Sequence, residues 1–198
     1  PIGLVSSHAD GRVCDREARQ VLGGGRASSV FTAPTRAATR MHDYVAGSRV
    51  NEELTGKRLS KQAWGIVPKI AEVDDFLLSS GPADRARIRE VHPEVLFWAL
   101  NGRSAMQFRK STAEGLEERL QVLQRFLPRV RESYRQILGA WPRSKVARDD
   151  VLDAVAAAVT GRLGAAELET IPEDPEHDEH DLPMEMVYWL PSGAVGVE

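Results

Sequence analysis

Arg148-Asp149-Asp150-Val151-Leu152-Asp153-Ala154-Val155-Ala156-Ala157-Ala158-Val159 is the stretch on which the reading of this chain turns. It predicts a helix with an acidic first turn and a small, apolar body. Residues three and four apart share a helix face, so Asp150 aligns with Asp153, and so does Asp149. Two readings stand. Acids in a first turn complement the positive end of the helix dipole, and Asp149 or Asp150 can cap it. Asp153 lies a turn further in, ahead of the Ala/Val run, which suits a metal ligand or catalytic group. That run also predicts a helix packed closely against a sheet.

The charge distribution gives this acidic turn a setting. Residues 103–148 carry eleven basic and four acidic side chains, whereas residues 149–198 carry one basic and thirteen acidic. A basic block followed by an acidic turn suits a site that grips a polyanion beside a divalent cation; it equally suits two surfaces that pair with each other. The whole chain, of 198 residues and net charge −3, is 42% hydrophobic and 28% charged, the composition of a folded globular domain. No apolar run approaches the roughly 18 residues of a membrane span. The single Cys14 excludes an internal disulfide and fits a reducing, cytoplasmic setting. Beside Asp15 and Arg16 it reads as a small helix residue or a reactive thiol.

Ahead of the acidic helix, Val13 to Leu22 predicts a helix stopped by Gly23-Gly24-Gly25, and Arg36 to Leu54 a second. Ser60 opens a third, carrying Ala63, Ile66, Val67, Ile70, Val73, Phe76 and Leu77 at helical spacing, which Pro68 should kink or divide. Ile88 to Val91 is β-compatible. His92-Pro93-Glu94 follows, with Pro93 at the first position of a helix running to Leu100. A polar residue between strand and helix is where α/β proteins place functional groups. Glu90, His92 and Glu94 could thus supply a ligand or general base; a capping His92 and a dipole-favoured Glu94 explain the trio equally well. Ser111-Thr112-Ala113-Glu114 reads as a capping box, opening a helix whose Leu116, Leu120, Leu123 and Leu127 form a core stripe. Arg125, Arg129, Arg131 and Arg135 follow, as phosphate contacts or a solvated face. The acid-rich loop Pro172 to Pro183 holds His177 and His180 as a conceivable metal site or a solvated loop, and Met184 to Leu190 predicts a final strand. No repeat and no second domain boundary is evident, so residues 1–198 read as a single domain.

Several stretches together resemble one family of bacterial and archaeal domains of unknown function, described as predicted nucleases of the RNase H fold. They are Pro1-Ile2-Gly3-Leu4, Cys14-Asp15-Arg16-Glu17-Ala18-Arg19, Ser28-Ser29-Val30-Phe31 with Pro34, and Ser60-Lys61-Gln62-Ala63. Further on come Lys69-Ile70-Ala71-Glu72-Val73-Asp74, Glu90-Val91-His92-Pro93-Glu94, Asp149-Asp150-Val151-Leu152-Asp153-Ala154 and Met184-Glu185-Met186-Val187-Tyr188. The acidic helix is also similar to the last helix of Holliday-junction resolvases of the same superfamily, where two acids three apart complete a carboxylate cluster.

The resemblance implies an α/β fold: an RNase H-like mixed sheet flanked by helices, helix-rich, and incomplete at its N-terminus. Two further acids of the family's cluster would lie upstream of Pro1. The activity implied is metal-dependent hydrolysis of nucleic-acid phosphodiesters. Asp150 and Asp153 would bind Mg²⁺ or Mn²⁺, Asp149 or Glu90 would assist, and His92 would orient water or substrate. Arg125, Arg129 and Arg131 would meet a DNA or RNA backbone. Missing sheet strands would leave edges open to pairing with another chain, hence a homo-oligomer. The rival expectations are a non-catalytic binding or assembly module on the same fold, and a hydrolase of small phosphate esters.

Overall fold

The computed structural model describes residues 1–7 and 11–191. They form a helix-rich α/β protein with nine α-helices and a two-stranded antiparallel sheet among the described residues. The chain divides into two compact units, each assembled from separated segments. Unit 1 comprises residues 1–20, 30–90 and 170–187; unit 2 comprises residues 21–29, 91–169 and 188–198.

Three capped helices organise unit 1. The Thr35 side chain accepts from the Ala38 amide and opens α2 (Arg36–Thr39); Asp43 does the same for α3 (Tyr44–Thr55) through the Ala46 amide. Gly56, at φ 72°, ends α3 in the left-handed region that glycine enters without strain. The predicted single helix from Arg36 to Leu54 is therefore two, because Asp43 supplies a cap in mid-stretch. Ser60 caps α4 (Lys61–Ser79), which runs through Pro68 undivided. Its buried face is Ala63, Val67, Ile70, Asp74 and Leu77, a helical stripe in which one apolar position has become an acid.

That acid belongs to a buried ion network. Arg36 reaches Asp74 at 3.1 Å, Glu179 at 2.9 Å, and Asp178; Arg40 reaches Asp74 at 2.6 Å. The Asp178 side chain is fully buried and accepts from the Leu4, His180 and Leu182 amides. Arg36 and these amides outweigh the burial that opposes charge, and hold the Asp178 carboxyl below its ordinary range. The acid-rich loop thus contains an anchor, not only a solvated surface. A second network surrounds Arg12, 1% exposed, which donates to Asp15, to Glu90 and to the Ile2 carbonyl.

The helix α1 (Val13–Arg26) crosses from unit 1 into unit 2, breaking helical geometry at Gly23, where φ is 66°. The predicted stop at the glycine triplet therefore holds: the helix from Val13 ends at Gly23, and a short second helical segment runs on to Arg26. Cys14 is buried beside Asp15, and burial pushes its thiol up to about 12, which makes it inert packing and not a reactive group.

Unit 2 is a helical assembly. It holds α6 (Pro93–Leu100), preceded in unit 1 by the short α5 (Pro82–Arg85), then α7 (Ala113–Gln124), α8 (Val130–Ala140) and α9 (Arg148–Leu163). Every residue of α6 from Glu94 to Leu100 is buried, so this helix forms the centre of the unit. Burying Leu96, Phe97 and Leu100 stabilises it by roughly 1.5–3 kcal/mol each. Val151, Leu152, Ala156 and Val159 give α9 its buried stripe, and α9 packs on α6, α7 and α8. The small residues therefore serve helix–helix approach, not the close packing on a sheet that their size predicts. The cap of α7 is Thr112, which accepts from the Gly115 amide, one residue later than the predicted capping box.

The strands are β1 (Leu168–Ile171) and β2 (Met186–Trp189), the latter within the predicted final strand. Ile88 to Val91 is not a strand. Its link to the sheet is a bond from the Val187 amide to the Glu90 carbonyl at 2.8 Å. The described residues thus carry a smaller sheet than the resemblance implies. No helix among them is long and apolar enough to cross a membrane.

Candidate functional site

The helices α6, α7 and α9 bring the chemically unusual side chains of unit 2 together. Pro93 starts α6 with its fixed φ, which places Glu94 in the first turn and inside the unit. One oxygen, Oε1, accepts from Arg119 Nη2 at 2.6 Å; the other, Oε2, is buried with no partner. Arg119 of α7 is itself fully buried, donates to the Gly115 carbonyl at 3.0 Å, and stacks over Phe97 at 5.3 Å.

On α9, Asp149 and Asp153 share Lys110. Its ammonium lies 2.9 Å from Asp153 and 3.2 Å from Asp149. The second Asp153 oxygen, Oδ1, is buried without a partner. Burial raises the Asp153 carboxyl above its ordinary value; Lys110 opposes that rise, and the negative charges of Glu94 and Asp149 add to it. Burial disfavours the charged form of Lys110, but its two carboxylates more than offset this and raise it. Glu94 and Asp153, from different helices and close enough to couple, thus each present a bare buried oxygen. A buried carboxylate oxygen without a partner costs free energy.

The other predicted site residues are distributed differently. Asp150 is exposed and turned to a separate groove with Ile137, Lys145, Val151 and Ala154; Asp149, four residues from Asp153, is the acid that joins it on Lys110. Glu90 belongs to unit 1, where Arg12 at 2.7 and 2.9 Å and the Ile2 amide at 2.6 Å satisfy it. Burial opposes its charge, but Arg12 and that amide prevail and hold it below the usual range. His92 is the N-cap residue of α6 without capping through its side chain, and its Nε2 lies 3.3 Å from the Ser29 carbonyl.

The arginine patch is largely occupied at the surface. Arg129 pairs with Glu132 at 2.9 Å and Arg131 with Glu117 at 2.7 Å, while Arg125 reaches Asn101 only at 3.5 Å. Arg143 and Arg148 form no ion pair with any described residue and line a cleft of ≈550 Å³ at the start of α9. Among the described residues no three His, Cys, Asp or Glu side chains form a group that could hold a metal ion, His177 and His180 included.

Sequence reasoning missed Lys110 and Arg119 and left Glu94 undecided. The signal for Glu94 was Pro93, which fixes the helix start and hence the direction of its second residue. Lys110 and Arg119 carry no local signal, because their partners are 43 and 25 residues away.

Residues 1–177 match the family model described as "Protein of unknown function (DUF429)", and the chain belongs to that family. No curated protein and no solved structure matches it.

Proposed function

We propose that this member of the DUF429 family is a divalent-metal-dependent phosphodiesterase acting on nucleic acid, with Glu94, Asp153 and Asp149 as its working carboxylates. The observation that supports this most is the pair of bare, buried oxygens, Glu94 Oε2 and Asp153 Oδ1. Hard carboxylate oxygens in small number are what Mg²⁺ takes, since it keeps several waters and phosphate oxygens in its shell. Those two oxygens are what Glu94 and Asp153 would offer to Mg²⁺ or Mn²⁺, two protein ligands with water and phosphate oxygens completing the shell, since no three such side chains gather into a metal-holding group among the described residues. An ion there would lower the pKa of a bound water and offset charge on the reacting phosphate.

The chain's own residues act as follows. Arg119 fixes Glu94 through Oε1 and leaves Oε2 free. Lys110 offsets the charges of Asp149 and Asp153 while the site awaits its ligand, and can then turn its ammonium to a phosphate oxygen. Asp150, Glu90 and His92 have no part in this reading. The sequence resemblance to RNase H-like nucleases adds support, because that superfamily sets carboxylates on a late helix for the same chemistry.

Lys110 also favours a second reading. An ammonium already bridging Asp149 and Asp153 makes a site that is neutralised without metal, as a non-catalytic module would have. Calorimetry with Mn²⁺, paired with a cleavage assay on single- and double-stranded DNA and RNA, separates the two. The enzyme reading expects micromolar Mn²⁺ binding and metal-dependent cleavage, both weakened by more than about 100-fold in Asp153→Asn and in Glu94→Gln. Absence of Mn²⁺ binding, or cleavage unchanged in both variants, overturns it.

A further inference from the structure

The cleft at the start of α9 lies beside the carboxylates and is chemically distinct from them. It measures ≈550 Å³, within the range of small-ligand sites. Its floor is apolar, formed by residues such as Leu116, Leu120 and Val146, and its rim carries Lys110, Arg143 and Arg148. Two acids also line it, and both are engaged: Glu117 by Arg131 at 2.7 Å, Asp149 by Lys110 at 3.2 Å. Arg143 and Arg148 have no carboxylate partner among the described residues. Ala147, the N-cap residue of α9 and part of the lining, offers no side-chain cap, so the first amides of the helix are not satisfied by one.

Two arginines without carboxylates and helix amides without a side-chain cap, gathered on one cleft, ask for the same occupant, a compact oxyanion. The apolar floor asks for a flat, weakly polar group attached to it.

We propose that this cleft binds a phosphate monoester of nucleotide size, with Arg143 and Arg148 on the phosphate and the base over the apolar residues Leu116, Leu120 and Val146. This deepens the proposed hydrolysis by giving its substrate or product a phosphate pocket that shares Lys110 and Asp149 with the carboxylate site. It rests on that reading only for what happens to the ligand, because the binding itself needs no divalent ion.

The test is calorimetry on the whole chain in EDTA, with adenosine 5′-monophosphate, adenosine and inorganic phosphate as probes. Adenosine 5′-monophosphate is expected to bind, more tightly than inorganic phosphate, with adenosine not binding. Arg143→Ala/Arg148→Ala should weaken it by at least about tenfold. Equal binding of the nucleotide and the nucleoside, no binding of the nucleotide, or an arginine variant that binds as the parent does, overturns the proposal. Short oligonucleotides identify the source. Competition by a 5′-phosphorylated strand but not by its 5′-hydroxyl form supports a strand end as ligand, and competition by neither supports a free nucleotide. Equal competition by both overturns the monoester assignment. Nucleotide binding intact without metal-dependent cleavage would refute the hydrolysis alone, and cleavage without nucleotide binding would refute the pocket alone.

Discussion

Asp153 is the residue whose energetics run against its surroundings. Its carboxyl is raised by burial and by the charges of Glu94 and Asp149. Between its ordinary value near 3.8 and the raised folded value, the folded state holds more of its proton than the unfolded chain does. Stability contributed at this position therefore falls as pH rises through that window, and at neutral pH the ionised side chain is a liability that Lys110 partly offsets. Asp153→Asn removes both the liability and one of Lys110's two partners. The variant is expected to match the parent at pH 7 to within about 1 kcal/mol, and to lose the decline between acid and neutral pH. Urea melts at pH 4, 5 and 7 check this; a loss above about 2 kcal/mol at pH 7 would make Asp153 a structural residue. Glu90 contrasts with it, since Arg12 and the Ile2 amide satisfy it and its folded pKa is lowered. Both residues are acids at motif positions, and no local pattern separates them. Only the partners do, 43 residues from Asp153 and 78 from Glu90.

The helix starts are the elements that aim the site. Thr112 caps α7 by accepting from the Gly115 amide, and a Cβ on Gly115 would collide with the Arg109 carbonyl, immediately before Lys110. Gly115→Ala must therefore displace the segment that carries Lys110, or tilt the first turn of α7. The expected cost is about 1–3 kcal/mol in a denaturant melt, as for other forced overpacking; a change below about 0.5 kcal/mol would show that this approach is not required. Element positions were the most legible part of the sequence. Ser60 before α4, Pro93 at the head of α6 and the acidic turn of α9 each announce a helix, because capping and proline chemistry act within four residues. The break between α2 and α3 at Asp43, the shift of the α7 cap to Thr112 and the loss of a strand at Ile88 to Val91 were not legible. Each is decided by competition among neighbouring caps or by whether a distant segment offers a ladder partner. In the site, the acids of α9 were visible as types, but Asp149 and not Asp150 joins Asp153, because the rotation of α9 is set by Val151, Leu152, Ala156 and Val159 packing on other helices.

At the scale of the molecule, the two units differ in how they use charge. Unit 1 buries its ion networks on Arg12 and Arg36, and Glu90 and Asp178 within them are held below their ordinary pKa. A depressed carboxylate stabilises the fold above its unfolded pKa, and that contribution is lost as pH falls through the folded value. Unit 2 has Asp153 with the opposite sign. Its lowered carboxylates, Glu117 (to about 2) and Glu132, lie in exposed pairs, which are worth little. Lowering the pH from 7 to 3 is therefore expected to open unit 1 before unit 2, read as earlier loss of amide protection in hydrogen exchange over α2 and α4 than over α6 and α9. Protection lost first from α6 and α9 would contradict the assignment. The interleaving of the units has a consequence for synthesis. Asp178, the buried anion on Arg36, is made after every helix of unit 2, roughly 5–20 s later than Glu90 at ordinary elongation rates. Until then Arg36 has Asp74 to pair with, but neither Asp178 nor Glu179. Neither unit is therefore complete before residue 170: a nascent chain stalled there would hold helices α6–α9 without the segment of unit 2 that begins at residue 188, and an Arg36 paired with Asp74 but lacking Asp178 and Glu179.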